Sequence, residues 1–239
     1  MTAPIHLYYF NSPNGRKITI MLEELGVPYE LIPIQMSRRD HYRPDFTAIS
    51  PNNKMPVIVD PEGPDGVALS IFESGAILKY LAEKFGRFYG TSASERADID
   101  QWLFWQVGNF GPLPGQAEHF LSKDREQIPY AIKRYVDETR RLYGVLEAQL
   151  IRQRTRGIAF VAARDFSIAD IAIFGWARKW KELSMGEDEF PAVYRWRDEM
   201  DARPGVARAL ALAGTIPKPV PDPGAALAED LRRLGRSLG

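Results

Sequence analysis

Between residues 50 and 77 the chain lays down an extended step, two strands and a helix start in unbroken order. The segment reads S-P-N-N-K-M-P-V-I-V-D, then P-E-G-P-D-G, then V-A-L-S-I-F-E-S-G-A-I. A residue before proline is pushed extended by the clash with the proline ring. Lys54 and Met55 therefore lead directly into the apolar run at residues 57–59. The proline- and glycine-rich stretch behind it is turn chemistry, so residues 68–71 run back as the second strand of a hairpin. Glu73 and Ser74 then open a helix carried by Ile77, Leu78, Leu81 and Phe85 and stopped at Gly86.

The residues ahead of this hairpin supply the rest of a mixed fold. Residues 5–9 form a short β-rich run, broken by Asn11-Ser12-Pro13-Asn14-Gly15. Ile18, Met21, Leu22 and Leu25 follow at i, i+3, i+4 and i+7, an amphipathic helix ending at Gly26. Residues 29–34 read as a strand, and Pro33 puts it at a sheet edge because proline cannot donate to a central ladder. The order is βαβ, then an irregular or helical segment, then ββα.

Past residue 89 the pattern becomes helical. Residues 94–109 carry Trp102, Leu103 and Trp105 for burial, and Pro129 starts a long helix through Tyr135, Leu142, Leu146 and Leu150. Ser167-Ile168-Ala169-Asp170 is a capping box, and Pro191 suits the first turn of a helix that ends before Arg203-Pro204. No strand signal of comparable strength occurs between residues 90 and 200. The expected class is α/β followed by all-α: a domain over residues 1–88, a helical domain over 94–212, and a tail over 213–239. In the tail, proline-rich residues 217–223 should be extended and residues 225–234 can form a short helix; a plain surface tail is the simpler reading.

Composition removes several classes. Thirty-one basic residues balance 31 acidic ones, which argues against a general nucleic-acid or membrane-surface binder. No run of 18 apolar residues exists, so no membrane span is expected, and the N-terminus has no signal-peptide pattern. With no cysteine there can be no disulfide and no thiolate-bound metal. His6, His41 and His119 are scattered, so no metal site is expected. A cytoplasmic location fits.

Several residues carry chemistry, each beside a plainer role. On spacing alone Pro56 is most simply a trans proline opening a strand. A cis bond would instead turn the Met55 N–H and C=O toward an open cleft, where an extended peptide could pair with them. Lys54 would add a cation. Glu73-Ser74 is either an ordinary cap or a place where helix N–H groups and the Ser74 hydroxyl hold a carboxylate, with Glu73 taking an ammonium. Ser12 and Asn14 are either a turn-and-cap cluster or hydrogen-bond donors at the positive end of a helix, where a thiol would lose its proton more readily. His41 is a structural histidine or a ligand contact. Arg134 is a solvated helical arginine or a fork for a carboxylate. Trp102 and Trp105 suit a core or domain interface. Gln106, Gln116 and His119 could line a cleft with Phe110 and Phe120, although a loop there is the stronger reading.

Five segments in this order, N-S-P-N-G-R-K-I, S-P-N-N-K-M-P-V-I-V-D, F-E-S-G-A-I-L-x-Y-L-A-E-K, W-L-F-W-Q-V and I-P-Y-A-I-K-R-Y, resemble the cytosolic glutathione transferases. Within them the match is to the bacterial Nu class, over about residues 5–212. A related domain occurs in the fungal nitrogen-regulation prion protein. The resemblance implies a thioredoxin-like N-terminal domain, a helical C-terminal domain, a homodimer, and glutathione-dependent reduction of small disulfides. It also implies glutathione as co-substrate, as one or two molecules or as the disulfide form. By the same resemblance Ser12 and Asn14 face the glutathione sulfur, and Met55, before a cis Pro56, pairs with the cysteinyl backbone. Glu73 and Ser74 hold the γ-glutamyl end, Lys54 lies near the glycyl carboxylate, and Arg134 assists where two glutathiones bind. The sequence departs from the pattern at Ser12, where threonine is expected, and at His41, where glutamine is expected. Conjugation or isomerisation of an electrophile, and a non-catalytic regulatory role, use the same scaffold.

Overall fold

The computed structural model describes residues 3–123 and 125–212; the expectations for the tail fall outside the described residues. By internal packing the chain divides into two compact units. One takes in the chain up to Asn11 together with Pro28–Glu73; the other takes in Ser12–Val27 and Ser74–Ala211.

The first unit is a mixed four-stranded sheet in the order β2-β1-β3-β4. Strand β1 (Ile5–Tyr9) pairs parallel with β2 (Tyr29–Pro33), matching Leu7 with Leu31. Strand β3 (Val57–Asp60) runs antiparallel to β1, matching Leu7 with Ile58, and antiparallel to β4 (Leu69–Phe72), matching Ile58 with Ile71. Strand β2 lies at the edge, as Pro33 requires. The hairpin turn needs glycine at position 63, where a Cβ would come 2.4 Å from the Val67 carbonyl oxygen. Ile5, Leu7 and Tyr9 alternate into buried positions along β1. Tyr8 points the other way, onto a cluster of Ile34, Phe46 and Val57 joined by Ile49 and Met55. Helix α2 (Pro44–Ile49) begins on proline and delivers Phe46 to that cluster, 6.0 Å edge-on to Tyr8.

The second unit is helical. Helices α1 (Pro13–Leu25), α3 (Ser74–Phe85), α4 (Ala93–Trp105), α5 (Pro112–Leu121), α6 (Pro129–Thr155), α7 (Ile168–Ala177), α8 (Pro191–Asp201) and α9 (Pro204–Ala211) make it up, with a π-helical turn, Gln106–Phe110, after α4. Every residue of α7 is buried, as an apolar ten-residue helix demands. Helices α1, α3, α4 and α8 pack around it. Gly175 lets α1 approach, since a Cβ there would sit 2.6 Å from the Pro13 carbonyl oxygen. Arg203 and Arg208 clamp the other end of α1 through Glu24 and Glu23. Residues 112–121, read from sequence as loop, are helix α5. Its prolines at 112 and 114 occupy the first turn, where no intrahelical N–H is needed, so the G-P-L-P-G spelling disguises a helix start. Helix α9 also begins on a proline that sequence reading took only as a stop.

The capping box of α7 closes as the sequence suggests. Asp170 Oδ2 accepts from the Ser167 N–H and hydroxyl, both at 3.1 Å. Its Oδ1 accepts from the Val161 N–H at 2.9 Å and the Trp196 indole at 3.1 Å. Burial nevertheless raises this carboxyl from the ordinary 3.8 to about 6, and the four donors only limit the rise. In the window between those values the native state holds a proton that the unfolded chain has released. Stability from this group is therefore full below about pH 4 and lost as pH rises through about 6. The loss amounts to about 3 kcal/mol. Urea unfolding of the parent and of Asp170→Asn from pH 4 to 7 should show the parent's advantage shrinking as pH rises, and a constant difference would refute the assignment.

Candidate functional site

Two helix N-termini in the second unit hold the candidate donors. Ser12 caps α1 with extended backbone, and its Oγ accepts from the Gly15 N–H at 3.1 Å. The cap uses a lone pair of the hydroxyl and leaves its hydrogen to donate elsewhere. Asn14, in the first turn, takes the Trp176 indole N–H on Oδ1 at 3.1 Å. An indole nitrogen can only donate, so the carbonyl end of Asn14 must face α7 and its NH2 must face away. The turn-and-cap reading of Ser12 and Asn14 is thus met, and it leaves each side chain a donor hydrogen.

Ser74 opens α3 and is buried. Lys17 Nζ lies 3.1 Å from its Oγ and 2.6 Å from Gln106 Oε1. Lys17 and Gln106 are only 1% and 0% exposed. Sequence reading passed over Lys17 because it spells part of an ordinary R-K-I run. Its signal was position: it falls with Ile20 and Met21 on the apolar side of α1. Gln106, weighed from sequence only as a cleft residue, starts the π-helical turn, a backbone irregularity common at functional sites. Its Nε2 is buried without a hydrogen-bond partner. Gly111 makes this arrangement possible, since a Cβ there would press to 2.9 Å from Gln106 Nε2 and 3.4 Å from Trp176 Nε1. The supports of Ser74 and Asn14 therefore meet at one bare stretch of backbone.

The other residues singled out in this unit fall elsewhere. Arg134 is exposed on α6, in an open groove of about 800 Å³ with Leu113, Tyr130, Tyr135 and Arg141. Arg141 pairs with Glu138 and holds its carboxyl below the ordinary range, with Arg134 adding to the effect. Trp105 stacks on Phe110 at 5.0 Å and meets Trp102 edge-on at 5.1 Å, so the tryptophans belong to packing. Gln116 and His119 are exposed on α5.

In the first unit the Met55–Pro56 bond is cis. This is the isomer the family resemblance implies; the trans reading drawn from spacing is corrected, because spacing carries no information on which isomer an X-Pro bond adopts. The Met55 side chain packs on the Ile34, Phe46 and Val57 cluster. Among the described residues its N–H and C=O have no hydrogen-bond partner. Pro56 is buried and Lys54 exposed, and the Lys54 carbonyl is held by the Ser50 hydroxyl at 2.9 Å. His41 is buried in a 3-10 turn, Asp40–Tyr42, with its ring 4.1 Å from that of Tyr42 and Nδ1 unpartnered. Glu73 is exposed with φ 71°. A non-glycine residue in that left-handed region costs on the order of 1–3 kcal/mol, and such residues cluster at functional sites. Among the described residues no group of acidic and histidine side chains could hold a metal ion, and no helix is long and apolar enough to cross a membrane.

Comparison with known proteins places these features in a family. The pattern described as Glutathione S-transferase, N-terminal domain matches residues 7–108, and that described as Glutathione S-transferase, C-terminal domain matches residues 119–204. The disulfide-bond oxidoreductase YfcG of Escherichia coli is 45% identical over 207 residues, 86% of this chain and 94% of the relative. A glutathione transferase from Pseudomonas putida, solved with one glutathione disulfide bound per subunit, superposes with a TM-score of 0.80 at 40% identity, covering 87% of this chain and 90% of that one. A family member from Pseudomonas fluorescens with two glutathiones bound gives 0.79 at 39% identity, covering 86% and 92%.

The indole–amide contact can be tested without any ligand. Trp176→Phe and Asn14→Ala should each lower stability to urea, and the double variant should lose less than the sum by about 1 kcal/mol. Strict additivity would mean that the Trp176 N–H does not hold the Asn14 amide.

Proposed function

This chain belongs to the glutathione S-transferase family, and on that premise we propose that it is an enzyme reducing small-molecule disulfides with glutathione. The observation that carries the reading is the pair of donors at the start of α1 in a chain with no cysteine: the Ser12 hydroxyl hydrogen and the Asn14 NH2. A protein without a thiol has to take its reactive sulfur from a ligand, and glutathione supplies one. The identity to YfcG over most of both chains supports disulfide chemistry in particular.

On this reading residues 1–88 form the glutathione-binding domain and residues 94–212 the helical domain. Ser12 and Asn14 donate to the sulfur and favour its ionised form, helped by the positive end of α1. The Met55 N–H and C=O, free of partners among the described residues, pair with the cysteinyl backbone as an added strand would. Ser74 and the first N–H groups of α3 hold the γ-glutamyl carboxylate, and Glu73 takes the ammonium. Lys54 serves the glycyl carboxylate. His41 has an unpartnered Nδ1 that suits a ligand contact. Arg134 serves a second glutathione or the second half of glutathione disulfide; the ligands bound in the two Pseudomonas structures support that ligand form, and the arginine's part is the proposal. The net reaction takes two glutathiones and one substrate disulfide to two thiols and one glutathione disulfide, each exchange passing a sulfur–sulfur bond to an attacking thiolate. The chain contributes orientation and preorganised donors. A homodimer is part of the proposal, and the exposed Phe104 and Tyr130 are apolar surface it could cover.

Ser12→Ala separates these roles. Turnover of 2-hydroxyethyl disulfide should fall at least about tenfold while the Kd for glutathione, by calorimetry, moves far less, because the hydroxyl acts on charge developing at sulfur. Urea unfolding checks the lost cap, worth about 1 kcal/mol. Unchanged turnover would remove Ser12 from the mechanism. Faster consumption of a chlorinated aromatic than of the disulfide would make conjugation the activity instead, and a parent protein that does not bind glutathione would sink the reading entirely.

A further inference from the structure

A fully buried lysine beneath a binding helix has no part in the roles assigned so far. Lys17 Nζ lies within hydrogen-bond distance of two side-chain oxygens, Ser74 Oγ at 3.1 Å and Gln106 Oε1 at 2.6 Å. An ammonium has three donors and no acceptor. The Ser74 oxygen must therefore accept from Lys17, and the Ser74 hydroxyl hydrogen cannot point back at it. Left to itself a serine at a helix start can rotate its hydrogen toward any nearby acceptor. Here that freedom is reduced, and the hydrogen is left for an acceptor on another side of the oxygen. Gln106 holds the lysine in turn. Its amide oxygen faces Nζ, its Nε2 is buried without a partner, and the glycine backbone at 111 closes over it. Helix α3 begins against the same turn, since a Cβ on Gly75 would come 2.9 Å from Val107 Cγ2.

We propose that Lys17 is a positioning residue, with Gln106 as its brace, that sets the Ser74 hydroxyl to donate to a ligand carboxylate and makes the start of α3 selective for an anionic amino-acid end. The inference rests on the reading of Ser74 as the contact for the γ-glutamyl carboxylate. It adds the source of that selectivity. An ammonium one hydrogen bond behind the hydroxyl, donating through Nζ, strengthens that hydroxyl's donation to an anion and does little for a neutral group of the same shape. Burial strengthens the effect, because water does not screen the Nζ donor there.

The test compares glutathione with γ-aminobutyryl-cysteinylglycine, which lacks only the γ-glutamyl carboxylate, by calorimetry on the full chain. Lys17→Met keeps the length of the stem and removes the charge. It should weaken glutathione about tenfold or more and leave the analogue's Kd within about twofold of the parent's. Ser74→Ala should weaken glutathione similarly, and the double variant should bind no more weakly than Ser74→Ala, since Lys17 acts through that hydroxyl. Equal losses for both ligands, or multiplying losses in the double variant, would reduce Lys17 to a packing role and overturn the proposal while leaving the glutathione reading intact. An unchanged Kd in Ser74→Ala would instead remove Ser74 from the site, and the proposal with it. Gln106→Glu gives an independent check should Lys17→Met not fold. A carboxylate facing Nζ competes for the ammonium, so glutathione binding should weaken several-fold and the analogue's should not; equal binding of both ligands by this variant and the parent would also refute the idea.

Discussion

A ten-residue helix that is apolar on every side cannot lie on a surface, and the helical unit is organised around hiding α7. Its first turn leaves backbone N–H groups that must find acceptors in a region without water, and the Ser167–Asp170 box supplies them. Asp170 is in turn held by Val161 and Trp196, so the cap binds a loop and α8 to the same point. Its last turns carry Gly175, which admits the Pro13 carbonyl, and Trp176, which reaches Asn14. The start of α1, where the proposed sulfur donors lie, is thus positioned by the burial of a helix that makes no contact proposed for the ligand.

The same layering recurs at α3. Ser12 and Asn14 are short polar side chains of the kind that usually serve as caps, and Ser74 is another. In each a second group occupies a lone pair of the oxygen and leaves a hydrogen to donate: the Gly15 N–H for Ser12, the Trp176 indole for Asn14, the Lys17 Nζ for Ser74. Directionality in the helical unit is set from behind by groups that can only donate. This costs little in stability where the donors are backbone and indole N–H groups. It costs more at Lys17, whose amine has to be carried into the interior.

Much of this was legible beforehand where local chemistry decides the outcome. The strand β1, the helix over Ile18 to Leu25 with its Gly26 stop, the hairpin and the edge position of Pro33 follow from periodicity and from what proline and glycine permit. The misreadings lie where the local signal is ambiguous. Residues 112–121 spell a turn and form a helix, because proline is equally at home in both. Lys17 spells a surface residue and is buried, because a residue's partners 57 and 89 positions away leave no mark on its own neighbourhood.

From sequence alone came the kinds of groups available: no thiol, a hydroxyl and an amide at a helix start, an X-Pro step before a strand, a serine at the mouth of another helix. Those are properties of residue types and spacing. Only the tertiary structure decided which way those groups face and the identity of the residues behind Asn14 and Ser74. Hydrogen-bond direction depends on what occupies the far side of an atom, and in a folded chain that neighbour comes from a distant segment through packing.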